Sequence, residues 1–98
     1  MLTPEQFEKW IAKLRSGEVE QGKGCLAPTP DTRCCLGVAR DLFGLREIGC
    51  FCSSPFPETD LPNWFQDILS KKNDCSNIGF PGIADFIEKT AKAKGWME

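Results

Sequence analysis

Two stretches hold residues able to do chemistry. In Arg33-Cys34-Cys35 two adjacent thiols follow a guanidinium, and Arg15-Ser16 with Gln21-Gly22-Lys23-Gly24 is a polar, glycine-rich pair of segments. A thiol beside an arginine and at a helix N-terminus has its pKa lowered, because both features favour the thiolate. Cys34 is therefore the candidate nucleophile. The chain contains no histidine, however, which removes Cys–His and Ser–His–Asp machinery together with the commonest general base and metal ligand. A base for Cys34 would have to be a carboxylate such as Asp31 or Asp41, and Asp41 and Asp85 lack a partner at a diagnostic spacing. The expectation is a protein that is not an enzyme, with a Cys34-dependent enzyme as the competing class.

The six cysteines also invite a metal or a disulfide. Structural zinc wants about four ligands, typically two Cys-x-x-Cys pairs or their histidine variants. Here the pairs are Cys34-Cys35 and Cys50-x-Cys52, with Cys25 and Cys75 isolated. A zinc-stabilised module stays an alternative, and no cofactor is expected. Cys25 with Cys34 or Cys35, or Cys75 with Cys50 or Cys52, are the conceivable disulfides. In a reducing compartment small buried thiols are the simpler reading.

The basic stretch suggests binding. Arg15 and Ser16 end a helix, Gln21 and Lys23 flank glycines whose backbone N–H groups form an anion-binding concavity, and Arg33 and Arg40 add charge around the start of a second helix. These six residues are the candidate ligand-binding set, suited to a phosphate or carboxylate. Against it stands the plainer reading, in which Arg15 sits on its own helix dipole and the glycines serve turn geometry.

Composition limits the partners. Ninety-eight residues with 41% hydrophobic and 27% charged content make one small globular domain spanning 1–98. A net charge of −2 disfavours non-specific coating of nucleic acid, since that affinity rests on phosphate neutralisation. No apolar run approaches the roughly 20 residues that span a bilayer, so no membrane association is expected. Met1-Leu2-Thr3-Pro4-Glu5 lacks the basic-then-apolar pattern of a secretory leader, and a cytoplasmic location is expected.

The elements that must position these residues follow from periodicity. Thr3 and Gln6 form a capping box, Pro4 suits a first turn, and Leu2 with Phe7 makes a hydrophobic staple. Phe7, Trp10, Ile11 and Leu14 then line one helical face, and Gly17 stops the helix. Cys25-Leu26-Ala27 and Thr32-Arg33-Cys34 flank Pro28-Thr29-Pro30-Asp31, which predicts a short hairpin. Cys35, Val38, Ala39 and Leu42 give a second helix closed by Gly44. Ile48 to Cys52 would form at most a short strand before Pro55 and Pro57. A third helix is capped by Thr59 or Asp60 and buries Leu61, Trp64 or Phe65, and Ile68, with Lys71 to Asp74 at its exposed end. Pro81 opens a fourth, facing Ile83, Phe86, Ile87 and Ala91 inward. Gly95 ends it and sets Trp96 back onto Ala91 in a Schellman cap, while Lys89, Lys92 and Lys94 form a solvated face. The fold class is α+β, mostly helical, with about four helices, a short hairpin or small sheet, and one compact core.

With those blocks placed, the chain resembles a family of small hypothetical proteins of tailed bacteriophages and prophages. The likeness rests on Trp10-x-x-x-Leu14-Arg15-Ser16-Gly17, Gln21-Gly22-x-Gly24-x-Leu26, Cys34-Cys35-Leu36-Gly37-Val38 and Phe80-x-x-Ile83-Ala84-Asp85-x-Ile87-Glu88, in that order. It covers about Trp10 to Glu88. The family's middle region is usually longer, and Cys25, Cys50, Cys52 and Cys75 fall outside its motifs. The resemblance implies a setting, a viral accessory protein in the bacterial host cytoplasm, and no mechanism. In that setting the expected function is inhibition of a bacterial antiviral defence by stoichiometric binding. The partner is either an anionic nucleotide signal or a host or defence protein such as a CRISPR effector. Self-assembly into a homo-oligomer is compatible with either.

Overall fold

A computed structural model describes residues 1–22, 32–45, 55–75 and 78–97, without the side chains of 74 and 75. Four helices and one small sheet follow in the order α1 (Pro4–Ser16), β1 (Glu20–Gln21), β2 (Thr32–Arg33), α2 (Cys35–Phe43), α3 (Asn63–Cys75) and α4 (Phe80–Ala93). The fold is α+β and mostly helical, and no helix among the described residues is long and apolar enough to cross a membrane.

The first helix forms as its local signals dictate. The Thr3 hydroxyl accepts from the Gln6 N–H, the Gln6 side chain accepts from the Thr3 N–H at 2.8 Å, and Gly17 closes the helix at φ 76°. Its stripe of Phe7, Trp10, Ile11 and Leu14 is buried, and α1 packs chiefly on α4. The Trp10 indole N–H donates to the Cys35 carbonyl at 2.9 Å, which fixes α1 against the first turn of α2. Leu2 is buried beside this stripe, and its N–H donates to the Asp60 carbonyl.

The described part of the sheet joins two segments whose pairing was not expected. Thr32–Arg33 does form a strand, but it pairs in parallel with Glu20–Gln21. Cys25–Ala27 and the Pro28–Asp31 turn lie outside the described residues, as does the strand suggested around Ile48 to Cys52. Local alternation cannot anticipate a parallel pair, because its two strands are joined by a long crossover and share no turn signal.

Helix α2 is buried over its whole first half, Cys35 to Ala39, including Leu36. Leu42, expected in the core, is 38% exposed, and the neighbouring Phe43 and Leu45 pack against the core in its place. Helix α3 starts at Asn63, so Thr59 and Asp60 do not cap it. They lie in a turn whose Asp60 and Leu61 N–H groups donate to the Pro57 carbonyl. Pro62 disfavours helical backbone at Leu61, and its own carbonyl takes the first bonds of the helix, from Phe65 and Gln66. The buried face of α3 is Phe65, Gln66, Leu69 and Asn73, with Ile68 half-buried. Asn73, expected at an exposed end, is fully buried.

Helix α4 buries Phe80, Ile83, Ala84, Ile87 and Ala91 and ends in the expected Schellman geometry. The Trp96 N–H donates to the Ala91 carbonyl at 2.8 Å and the Gly95 N–H to the Lys92 carbonyl at 3.2 Å, with Gly95 at φ 75°. That cap lays the Trp96 ring against Phe7 of α1 and Phe65 of α3, with centroids 5.8 and 5.2 Å away. A Cβ at Gly95 would meet no neighbour, so Gly95→Ala isolates the cost of left-handed backbone, about 1–2 kcal/mol. A melting temperature lowered by roughly 4–16 °C is expected, measured by circular dichroism.

Candidate functional site

The predicted ligand-binding residues fall into separate groups. Arg15, at the end of α1, reaches across to α4. Its guanidinium bonds the Asp85 carboxylate and lies 3.3 Å from Glu88. Both carboxylates raise its already high pKa, the hydrogen bond to Asp85 most of all. Arg33 and Arg40 come together on one acid instead. Arg33 Nε lies 2.7 Å from Asp41 Oδ2 and Arg40 Nη2 3.3 Å from Asp41 Oδ1. Among the described residues, Arg15 meets the carboxylates of α4, whereas Arg33 and Arg40 meet that of α2.

Ser16 and Gln21 are engaged in local structure. The Ser16 hydroxyl donates to the Lys13 carbonyl at 2.6 Å and accepts from the Glu18 N–H, finishing the helix. Lys13 pairs with Glu18 in the same turn and holds that carboxyl below its ordinary pKa. Ser16 also lines a shallow groove of about 360 Å³ with Lys9, Ala12, Lys13, Glu18 and Leu42. The Gln21 amide donates to Asn73 Oδ1 at 3.0 Å and to the Ile78 carbonyl at 3.2 Å. Lys23 lies outside the described residues.

Arg15 also gives a simple test of what its ion pairs are worth. The guanidinium and Asp85 are exposed, and exposed pairs contribute about 0–1 kcal/mol. Arg15→Gln is expected to lower the melting temperature by no more than roughly 8 °C, and the difference shrinks in 1 M salt. A calorimetric scan at two salt concentrations measures both.

The thiols follow Arg33 at the start of α2. Cys34 is the N-cap of α2, where its Sγ accepts from the Gly37 N–H at 3.4 Å, and it is nearly buried. Cys35 is fully buried, and its thiol donates to the Leu69 carbonyl at 3.7 Å. Neither thiol forms a disulfide among the described residues. Among the described residues no group of three cysteines or carboxylates is arranged to hold a metal. The side chains of Cys25, Cys50, Cys52 and Cys75 lie outside that description.

Sequence reasoning missed two features. The first is a pair of buried amides. Asn73 Oδ1 accepts from the Gln21 amide and from the Cys35 N–H, while its Nδ2 donates to the Gly22 carbonyl at 2.8 Å. One side chain thus ties β1 and the start of α2 to α3. Gln66 likewise accepts from the Phe56 N–H and donates to the Phe56 and Leu61 carbonyls. The second is an aromatic face on α3 and α4. Trp64 is 43% exposed. It stands 5.8 Å from Trp96 and 5.6 Å from Phe65, and the half-buried Phe86 stacks on Phe65 from the other side. Lys94 Nζ lies 5.3 Å from the Trp64 ring centroid and Lys72 Nζ 4.5 Å from that of Phe86. The adjacent pair Trp64-Phe65 held the signal, since one helix face cannot bury both, and the buried one is Phe65.

Residues 2–54, more than half of the chain, match the model of a family described as a domain of unknown function, DUF8296. No curated protein and no solved structure matches.

Proposed function

We propose that this chain, which belongs to the DUF8296 family, works by stoichiometric binding of another protein and catalyses no reaction. The observation that carries this reading is the exposed Trp64, held by Trp96 and Phe65 at the surface of α3 and α4. Tryptophan is enriched among the few residues that carry most of the energy of protein interfaces, and a folded protein gains nothing from hydrating an indole. The cysteine alternative is less well supported. Cys34 would have to leave its capping bond and its buried place to attack a substrate. The nucleotide-binding version is also the weaker one, because Arg15, Arg33 and Arg40 already face Asp85, Glu88 and Asp41. A phosphate would compete with those carboxylates for every guanidinium. The resemblance to tailed-phage proteins supplies the class of partner, a bacterial host or antiviral-defence protein.

Two assays on the full chain test this reading. Native mass spectrometry of material captured from bacterial lysate is expected to show one protein bound in fixed ratio. A thermal-shift panel of cyclic nucleotides is expected to leave the melting temperature unchanged. A nucleotide at a hundredfold its Kd would stabilise the fold by about 2.7 kcal/mol, a rise on the order of 10 °C. That rise, with no protein captured, would overturn the reading.

A further inference from the structure

Within the described residues, the cations differ by their partners, and Lys9 and Lys89 meet neither a carboxylate nor a ring. Arg15, Arg33, Arg40, Lys13, Lys71 and Lys92 each lie within 4 Å of a carboxylate. Lys72 and Lys94 do not, and their ammonium groups stand over Phe86 and Trp64. The described carboxylates of the same two helices are already occupied. Asp67 pairs with Lys71, Asp85 with Arg15, and Glu88 with Arg15 and Lys92. The aromatic face is therefore flanked by two positive charges that no carboxylate among the described residues neutralises.

We infer that the α3–α4 face centred on Trp64 docks an acidic protein segment, with Lys72 and Lys94 receiving its carboxylates and Trp64 its apolar anchor. This rests on the protein-binding reading and adds the chemistry of the partner. Charge complementarity selects the occupant. An ammonium over a ring pays little desolvation beyond what it has already lost, and a carboxylate arriving beside it gains a charge-assisted bond at the edge of an apolar surface. Single-stranded nucleic acid would meet the same charges, but it binds by stacking bases on open ring faces. Here Lys94 and Lys72 cover a face of Trp64 and of Phe86, and the Phe86 ring also stacks on Phe65. A second copy of the chain would bring the same cationic face, so like charges would oppose its self-pairing.

The test is fluorescence anisotropy with a labelled twelve-residue peptide in which aspartates and glutamates flank a central Leu-Phe pair. The comparison probes are its Gln/Asn counterpart and a dT12 oligonucleotide. The acidic peptide is expected to bind at least tenfold more tightly than the neutral one, with affinity falling as salt rises. Lys72→Gln/Lys94→Gln removes that preference while Lys72→Arg/Lys94→Arg keeps it, and the arginine pair controls for folding. Equal binding of the acidic and neutral peptides, preference for dT12, or concentration-dependent dimerisation that buries Trp64 overturns the inference. So does failure of the acidic peptide to bind at all. A protein partner captured by the wild-type chain and lost on Trp64→Ala, but indifferent to both lysine pairs, leaves the protein-binding reading standing and removes only its acidic chemistry.

Discussion

Trp64→Ala is expected to weaken binding of the protein partner by at least about 30-fold, which corresponds to roughly 2 kcal/mol. The folded state bears a smaller loss. Trp64 is 43% exposed and packs against Trp96 and Phe65, and aromatic pairs of this kind are worth about 0.5–1.5 kcal/mol each. The truncated chain therefore stays folded at 25 °C, with α3 and α4 held by Phe65, Leu69, Ile83 and Ile87, all fully buried. Titration calorimetry reads the affinity and a thermal melt reads the fold. Loss of binding with an intact melt separates a contact residue from a structural one.

The second large effect is on stability, at Asn73. Alanine there removes the acceptor of the Cys35 N–H and of the Gln21 amide, and the donor to the Gly22 carbonyl, in a fully buried site. Each buried group left without a partner costs about 1–3 kcal/mol, and relaxation of Gln21 toward solvent recovers part of the total. A net loss of about 3 kcal/mol is expected, with a melting temperature lower by roughly 10 °C or more. Amide exchange gives the location. The Cys35 and Gly22 N–H groups should exchange faster than those in the middle of α1, because the parallel pair β1–β2 loses its anchor to α3. A drop of less than about 2 °C would mean that water takes over the bonds of Asn73.

What could be read from the chain alone divides along physical lines. The ends of α1 and α4 were legible because their signals are local. Thr3 with Gln6 and Gly95 with Trp96 act within a few residues, and no distant contact needs to be known to place them. Helix α3 was legible only in outline. A search for apolar periodicity passes over Gln66 and Asn73, whose burial depends on backbone groups at Phe56, Leu61, Gly22 and Cys35 that the pattern does not contain. Pairing of β1 with β2 was equally out of reach, since nothing in Glu20-Gln21 marks it as a strand apart from Thr32-Arg33 lying beside it.

The candidate site shows the same division more sharply. Arg15 was identified as a prominent helix-end cation, yet what decides its role is Asp85, 70 residues along the chain. Arg33 and Arg40 lie closer to their shared acid, and Asp41 was weighed as a possible base without its two guanidinium neighbours. Charge counted along a sequence says how many cations a fold has, and says nothing about which of them are spent inside it. Lys94, grouped with a solvated face, is the reverse case. Its significance comes from the Trp64 ring across the helix pair.

The most direct measurement is the affinity of the captured partner for three chains: wild type, Trp64→Ala and Arg15→Gln. A face built on Trp64 predicts at least a 30-fold loss for the tryptophan variant and less than a threefold change for the arginine variant, whose carboxylate partners lie on the chain itself. Unchanged affinity on removing Trp64, with the loss falling on Arg15 instead, would contradict it and return the site to the basic residues.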